Sequence, residues 1–213
     1  MTELIEPPTM QLQLAPRPIG QVLATGLFGG VLLGVVARAW MRLIAEEPEF
    51  TWGGTIFIVS GFGIFGLTQA IAAVTRNRAK RRWTLTIARV IGSAGFLPLF
   101  VGAGGIMLPA VVGGGVAVWR TDLRKVSRWI WSAVAAAPFL FVGNNLVGSF
   151  GWSLHTAAGF LAMLCIYATI ISATRFTVAA QRDGWRLPRW VTVTGCVIAG
   201  LALVQLMAGF VFK

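Results

Sequence analysis

The sequence predicts an all-α protein, built as a polytopic bundle of transmembrane helices. Of its residues, 56% are hydrophobic and 12% are charged, whereas soluble globular proteins carry about 25% charged residues. The hydrophobic residues fall in long runs, and a helix of about 20 apolar residues suffices to cross a bilayer. Short basic segments separate these runs. Composition and spacing therefore favour a single membrane bundle without a separate soluble domain.

The chain divides into a polar N-terminal tail and a series of apolar tracts. We expect residues 1–18 to form a flexible cytoplasmic tail and residues 19–213 to form the transmembrane bundle. The tracts that fit one crossing each are residues 19–44, 52–74, 129–147, 152–174 and 190–212. The basic segments are residues 76–82, 120–128 and 175–189.

The remaining tract, residues 83–119, is too long for one crossing. A single helix of that length would extend about 55 Å, against a hydrocarbon core of about 30 Å. Basic segments flank both of its ends, so both ends belong on the same side of the membrane. Gly102, Gly104 and Gly105 provide a natural break. We therefore predict two short helices here and seven helices in total, with six helices and a re-entrant hairpin as the alternative.

The basic residues also predict the orientation of the bundle. Most of the 18 lysines and arginines fall in the tail or in the basic segments, and such residues accumulate on cytoplasmic loops. We therefore expect a cytoplasmic N-terminus. This distribution accounts for the net charge of +11 without a nucleic acid partner. The expected partner is the lipid bilayer, and another membrane subunit or a second copy of the chain is a further candidate.

The first predicted helix carries three glycines at intervals of four residues. Gly26, Gly30 and Gly34 form overlapping GxxxG steps, which allow two helices to approach closely. We expect these glycines to pack the helix centrally in the bundle or in a dimer. Cys165 and Cys196 fall within apolar tracts, and we expect them to serve as small buried residues.

Two arginines lie one helical turn apart near the predicted outer end of the first helix. The side chain of Arg38 leans toward the helix N-terminus and thus back into the bilayer, so we expect it to bind a protein partner. Arg42, four residues later, lies on the same face of the helix as Arg38. Arg89 lies near a cytoplasmic end, where the same lean points to the cytosol, and we expect its side chain to reach the membrane surface.

Further polar residues are predicted at the same outer end. An acidic run occupies the first outer loop, as a solvated segment that pairs with local arginines or as an attractor for cations. Two asparagines and the only histidine lie at the end of one helix and the start of the next. The candidate binding residues are therefore Arg38, Arg42, Glu46, Glu47, Glu49, Asn144, Asn145 and His155. Together they predict a polar pocket at the outer face.

Several classes of activity are excluded by residue counts. One histidine cannot provide the paired ligands of a membrane cytochrome b, and zinc sites need three or four ligands. No lysine falls in the middle of a predicted crossing, which excludes a retinal Schiff base. Ser153 and His155 are two residues apart and point away from each other on a helix. We predict no catalytic residue, no cofactor and no metal site.

Two short strings resemble a known group of proteins. The strings are "RAWMRLI" (residues 38–44) and "PEFTW" (residues 48–52). They resemble small integral membrane proteins of high-GC Gram-positive bacteria, and the likeness covers the first two predicted helices. The resemblance implies a bacterial inner membrane and carries no particular activity.

Three functions fit these patterns. The sequence favours a non-catalytic binding or accessory component, whose outer pocket and glycine-lined first helix engage a lipid, a small ligand or a partner. The alternative is a small transporter or channel that uses Arg38 and Arg42 to attract anions. The third is an intramembrane enzyme that acts on lipid-linked substrates, with His155 and a glutamate as acid and base.

Overall fold

The computed structural model of the chain describes residues 18–45, 50–78, 82–103 and 105–179. All regular secondary structure in these residues is helical, which confirms the predicted all-α class. The helices are α1 (Ile19–Leu43), α2 (Trp52–Arg78), α3 (Arg82–Ala94), α4 (Phe96–Ala103), α5 (Leu108–Trp119), α6 (Lys125–Phe150), α7 (Leu154–Ala173) and α8 (Arg175–Val178). A 3₁₀ turn, Gly105–Met107, precedes α5.

Within the described residues, five helical stretches are long and apolar enough to cross a membrane. They are Ile19–Leu43, Trp52–Arg78, Trp83–Val101, Lys125–Phe150 and Leu154–Val178. Seven crossings are not confirmed, because α5 has 12 residues and a length of about 18 Å. The predicted crossing at residues 190–212 and the predicted tail lie outside the described residues.

The helices meet at two ends, which differ in charge. One end, called the basic end below, contains the α2–α3 and α5–α6 connections and the C-terminus of α7. The other, called the distal end, contains the α1–α2 and α6–α7 connections. Antiparallel pairing follows from the contacts, since Gly26 in α1 faces Ala70 while Gly34 faces Val59. The C-terminus of α2 and the segment at residues 120–128 belong to the same end, since Arg89 in α3 lies within electrostatic range of Arg120.

The long tract at residues 83–119 breaks at its glycines, as predicted. Helix α4 ends at Ala103, and α5 begins at Leu108 with proline in its first turn. Helix α5 then returns along α6, where a Cβ added at Gly113 would lie 2.9 Å from the carbonyl oxygen of Trp131. The two halves of the tract therefore form a hairpin with both ends at the basic end.

Helix α1 packs on α2 through the three glycines. A Cβ added at Gly34 would lie 2.9 Å from the Cα of Val59, and one at Gly26 would clash with the Gly66 carbonyl. The opposite face of α1 is exposed, as Phe28 at 70% shows. A central position within the bundle is wrong, because only 11% of the apolar stretch of α1 is buried, while packing in a dimer stays a prediction. The glycines join α1 to the edge of the bundle.

The core lies between α2, α4 and α7, and its fully buried side chains include Phe65, Leu99 and Met163. Gln69 is also buried, and its Nε2 donates to the carbonyl of Gly92 at 2.9 Å. Such a bond between helices is typical of a glutamine in an apolar bundle. Cys165 is exposed on α7, so its expected burial is wrong; Cys196 lies outside the described residues.

The close contact between α1 and α2 predicts opposite effects for two neighbouring substitutions. Gly30→Ala should lower the thermal unfolding midpoint in detergent, because its Cβ would clash with the Phe62 carbonyl and force the helices apart. Gly29→Ala should leave the midpoint unchanged or raise it, since its Cβ would meet nothing within 4 Å. Each substitution gains up to about 1 kcal/mol of helix propensity. Equal losses in both variants would contradict the assigned contact.

Candidate functional site

The two arginines at the distal end of α1 contact the start of α2 and the residues just before it. The Nε of Arg38 donates to Thr55 Oγ1 at 3.3 Å, so Arg38 has a protein partner, as expected. The guanidinium of Arg42 lies over the ring of Phe50, 5.1 Å from its centroid. Such cation–π contacts contribute about 0.5–1 kcal/mol at exposed sites. Both arginines therefore help to join α1 to α2.

The distal end of α1 is also tied to α7 by a tryptophan. The indole Nε1 of Trp40 donates to the carbonyl of Gly159 at 2.7 Å. A side chain at Gly159 would approach Ile44 and Leu146, which lie 3.1 and 3.3 Å from an added Cβ. Tryptophan is enriched at the membrane surface, but Trp40 is partly buried and bonds another helix.

The other members of the predicted pocket have separate neighbours. Asn145 Nδ2 donates to Phe141 in its own helix at 3.0 Å. His155 is exposed, with its ring centroid 5.1 Å from that of Phe150. The acidic members Glu46, Glu47 and Glu49 lie outside the described residues. Among the described members, the arginines thus belong to the α1–α2 contact, while the asparagines and His155 belong to the α6–α7 connection.

A groove with a volume of about 790 Å³ lies between α6 and α7. It begins at Trp152 in the connection and reaches Phe139 in α6 and Leu164 in α7. At 1.5 Å per residue, the groove is about 16 Å long. Its walls are almost entirely apolar, and two of its side chains, Leu140 and Leu161, are 71% and 62% exposed. The groove is therefore open along its length.

The α6–α7 connection fixes the mouth of this groove. Gly151 has a φ of 66°, which glycine adopts without strain and which ends α6. Ser153 caps α7 by accepting from the amide of Thr156 at 3.2 Å. The hydroxyl of Thr156 donates back to the Gly151 carbonyl at 2.7 Å. The connection is thus held by its own hydrogen bonds, and Trp152 is left 90% exposed beside it.

Asn144 is the polar side chain exposed in the groove. It lies six residues before the end of α6, about 9 Å along the helix axis. Its carboxamide forms no hydrogen bond with the residues that the structure describes, while Thr156, the other polar lining residue, is bonded within the turn. A carboxamide among apolar walls is costly unless a partner satisfies it. Asn144 therefore indicates where a ligand could present a hydrogen-bonding group.

The described residues do not assemble an acid–base pair around His155. Asp122 is the only carboxylate side chain among them, and it precedes α6 whereas His155 follows it. Helix α6 has 26 residues and is about 39 Å long. Asp122 and His155 thus lie at opposite ends of the bundle. The described residues also contain no group of three metal-ligating side chains.

The basic end contains an ion pair that the sequence analysis missed. Arg120 is 4% exposed, and its Nε and Nη2 both donate to the carboxylate of Asp122 at 2.8 Å. The Arg120 hydrogen bond holds the pKa of Asp122 below its ordinary value, against the opposing effect of burial. Nearby, Arg128 Nε donates to the Ala117 carbonyl at 3.0 Å. These bonds fix the connection between α5 and α6.

Arg89 also differs from its expected role. We expected its side chain to reach the membrane surface, but its Nη2 donates to the carbonyl of Ala179 at 3.3 Å. Arg76 donates to the same carbonyl from α2, also at 3.3 Å. Helix α3 packs on α2 and α8, and Arg89 bonds the residue that follows α8. The sequence does not show which helices pack together, so this contact could not be predicted from it.

Comparisons with protein-family models, with curated proteins and with solved structures found no match.

The Arg120–Asp122 pair predicts a pH-dependent stability. Asp122→Asn should lower the free energy of unfolding at pH 7 by about 1 kcal/mol, a modest value because the Asp122 side chain is 31% exposed. A carboxyl group whose pKa is lower in the folded state stabilises that state above its unfolded pKa, near 3.9. This contribution disappears as the pH falls through the folded pKa.

The measurement is the denaturation of Asp122→Asn and of the parent protein in detergent, at pH 7 and near pH 2.5. Thr121→Ala, an exposed neighbour, is the control for a change in the same connection. The difference between Asp122→Asn and the parent should shrink at the lower pH. A difference that is independent of pH would show that the carboxylate charge does not matter.

Proposed function

We propose that this chain is a non-catalytic, multi-pass membrane protein that binds an amphipathic lipid in the α6–α7 groove. The observation that carries the proposal is the groove itself, apolar along about 16 Å and containing the carboxamide of Asn144. Its volume of about 790 Å³ lies within the range of about 300–1,000 Å³ that is usual for ligand sites. The five long apolar helices support the membrane setting.

The setting we propose is the bacterial inner membrane, with the basic end in the cytoplasm. Lysine and arginine on short loops favour that side. Helix α5, about 18 Å long, is short for a core of about 30 Å, which favours the re-entrant alternative for residues 102–119. The distal end then faces outward, and the α6–α7 groove opens into the outer leaflet.

The dimensions of the groove fit one acyl chain. One leaflet contributes about half of a hydrocarbon core of about 30 Å, which matches a groove of about 16 Å. The exposed side chain of Trp152 at its mouth suits the membrane surface, where tryptophan is enriched. Asn144, about 9 Å deeper, is placed to bind an ester or amide group of the lipid. The groove thus provides both an apolar wall and one polar contact.

The two other functions receive less support from the described residues. A transporter needs polar side chains from several helices around one mid-membrane cavity, but Arg38 and Arg42 contact Thr55 and Phe50 at the distal end. An enzyme with His155 as a base needs a carboxylate within hydrogen-bond reach. The only described carboxylate lies at the other end of the bundle. Binding without catalysis is therefore the proposal.

Photo-crosslinking with a phosphatidylethanolamine that carries a diazirine in its acyl chain tests this proposal. In the parent protein, crosslinks should map to α6 residues 139–147 and α7 residues 156–164. Ala157→Phe, which fills the groove, should remove most of this labelling. Asn144→Leu should reduce lipid retention about fivefold, the loss expected for one hydrogen bond.

Ala158→Phe is the matched control, because Ala158 is exposed on α7 but does not line the groove. Its crosslinking should equal that of the parent protein. If Ala157→Phe and Ala158→Phe label alike, or if labels spread evenly over all apolar helix faces, the groove is not a lipid site.

A further inference from the structure

The basic end holds a second feature, in which two arginines from different helices converge on one oxygen. Arg76 Nη1 in α2 and Arg89 Nη2 in α3 each donate to the carbonyl of Ala179 at 3.3 Å. Their nitrogens therefore lie no further apart than twice that distance. Arg76 Nη1 also donates to the carbonyl of Phe176 at 3.2 Å. Because guanidinium groups stay protonated in proteins, two positive charges are held side by side.

Other positive charges surround this pair. Arg175 lies within electrostatic range of Arg76, and its guanidinium lies over the ring of Trp119, 5.4 Å from the centroid. Arg120 and Asp122, which are bonded to each other, both lie within electrostatic range of Arg89. Beyond residue 49, the sequence contains only two acidic residues, at positions 122 and 183. Positive charge therefore exceeds negative charge at the basic end.

A cavity of about 360 Å³ is lined by Phe176, whose carbonyl accepts from Arg76. It lies between α1, α2 and the α7–α8 region, with Asn77 and Phe176 at its basic end. Phe176 therefore joins the cavity to the pair of arginines. Along α2 the cavity extends from Asn77 to Phe65, about 18 Å. That length is close to the depth of one leaflet.

We propose that the basic end binds an anionic phospholipid, with its phosphate at Arg76 and Arg89 and an acyl chain in the adjoining cavity. Charge complementarity selects an anionic lipid over a zwitterionic one. A guanidinium presents five N–H donors in a planar fork, so it can bond a carbonyl and a phosphate oxygen together. This site lies at the opposite end from the α6–α7 groove and does not depend on the function proposed for that groove.

Native mass spectrometry of the purified full chain tests the site, with phosphatidylglycerol and phosphatidylcholine added at equal concentrations. The parent protein should retain phosphatidylglycerol in preference to phosphatidylcholine. Arg76→Gln and Arg89→Gln should each weaken that retention about tenfold, as expected for the loss of a charge-assisted hydrogen bond. Arg78→Gln is the matched control, because Arg78 is exposed two residues further along α2.

A second pair of variants tests the cavity without changing any charge. Gly29 lines the cavity, and a Cβ added there would meet nothing within 4 Å, so Gly29→Phe should fold and occupy the space of the acyl chain. It should lower phosphatidylglycerol retention as the arginine variants do. Gly20→Phe, at an equally open position away from the cavity, should not.

Three results would overturn the proposal. Equal retention of the two lipids by the parent protein would exclude an anionic site. Equal losses in Arg78→Gln and Arg76→Gln would indicate diffuse surface charge. The third result combines two observations: inorganic phosphate at the same concentration displaces phosphatidylglycerol, and Gly29→Phe retains as much phosphatidylglycerol as the parent protein. Together they would identify a site for free phosphate without an acyl chain.

Discussion

The buried carboxamide of Gln69 determines how the helices of the basic half are arranged. Its Nε2 donates to Gly92 in α3, and its Oε1 accepts from Thr177 Oγ1 in α8 at 2.7 Å. In apolar surroundings, an unpaired amide costs about 1–3 kcal/mol, so one side chain of α2 fixes the positions of two other helices. The Ala179 carbonyl is thereby brought to Arg76 and Arg89.

Charge and cavity are distributed differently at the two ends of the bundle. At the distal end, the α6–α7 groove is large and almost wholly apolar, and Asn144 supplies its polar contact. At the basic end, the cavity is smaller and arginines lie beside it. A bound lipid needs both kinds of surface, since acyl chains need apolar walls and anionic headgroups need cations. The two proposed sites therefore fit lipids bound from opposite leaflets.

Much of the architecture could be predicted from the sequence, because length and hydrophobicity determine which segments can cross a bilayer. The break in the tract at residues 83–119 followed from its glycines, and the partner of Arg38 followed from the direction in which helical side chains lean. The prediction that α1 lies centrally within the bundle was wrong. A GxxxG pattern predicts a close helix contact, but it does not predict how many helices surround the one that carries it.

The candidate sites were less predictable, since they depend on which helix faces meet. The α6–α7 groove arises from a connection held by Ser153 and Thr156. Of the predicted pocket residues that the structure describes, only Asn144 lines it. Arg89 was assigned to the membrane surface because the sequence could not show that α8 ends beside it. Pairs such as Trp40 and Gly159 are separated by 119 residues, and no local pattern connects them.

The orientation of the bundle is the central claim, and accessibility of single cysteines in intact cells tests it most directly. In a background without Cys165 and Cys196, we would compare Trp152→Cys at the distal end with Arg124→Cys at the basic end, both at exposed positions. A membrane-impermeant maleimide should label residue 152 in intact cells and residue 124 only after permeabilisation. The reverse pattern would contradict the account, because the groove would then open into the cytoplasmic leaflet.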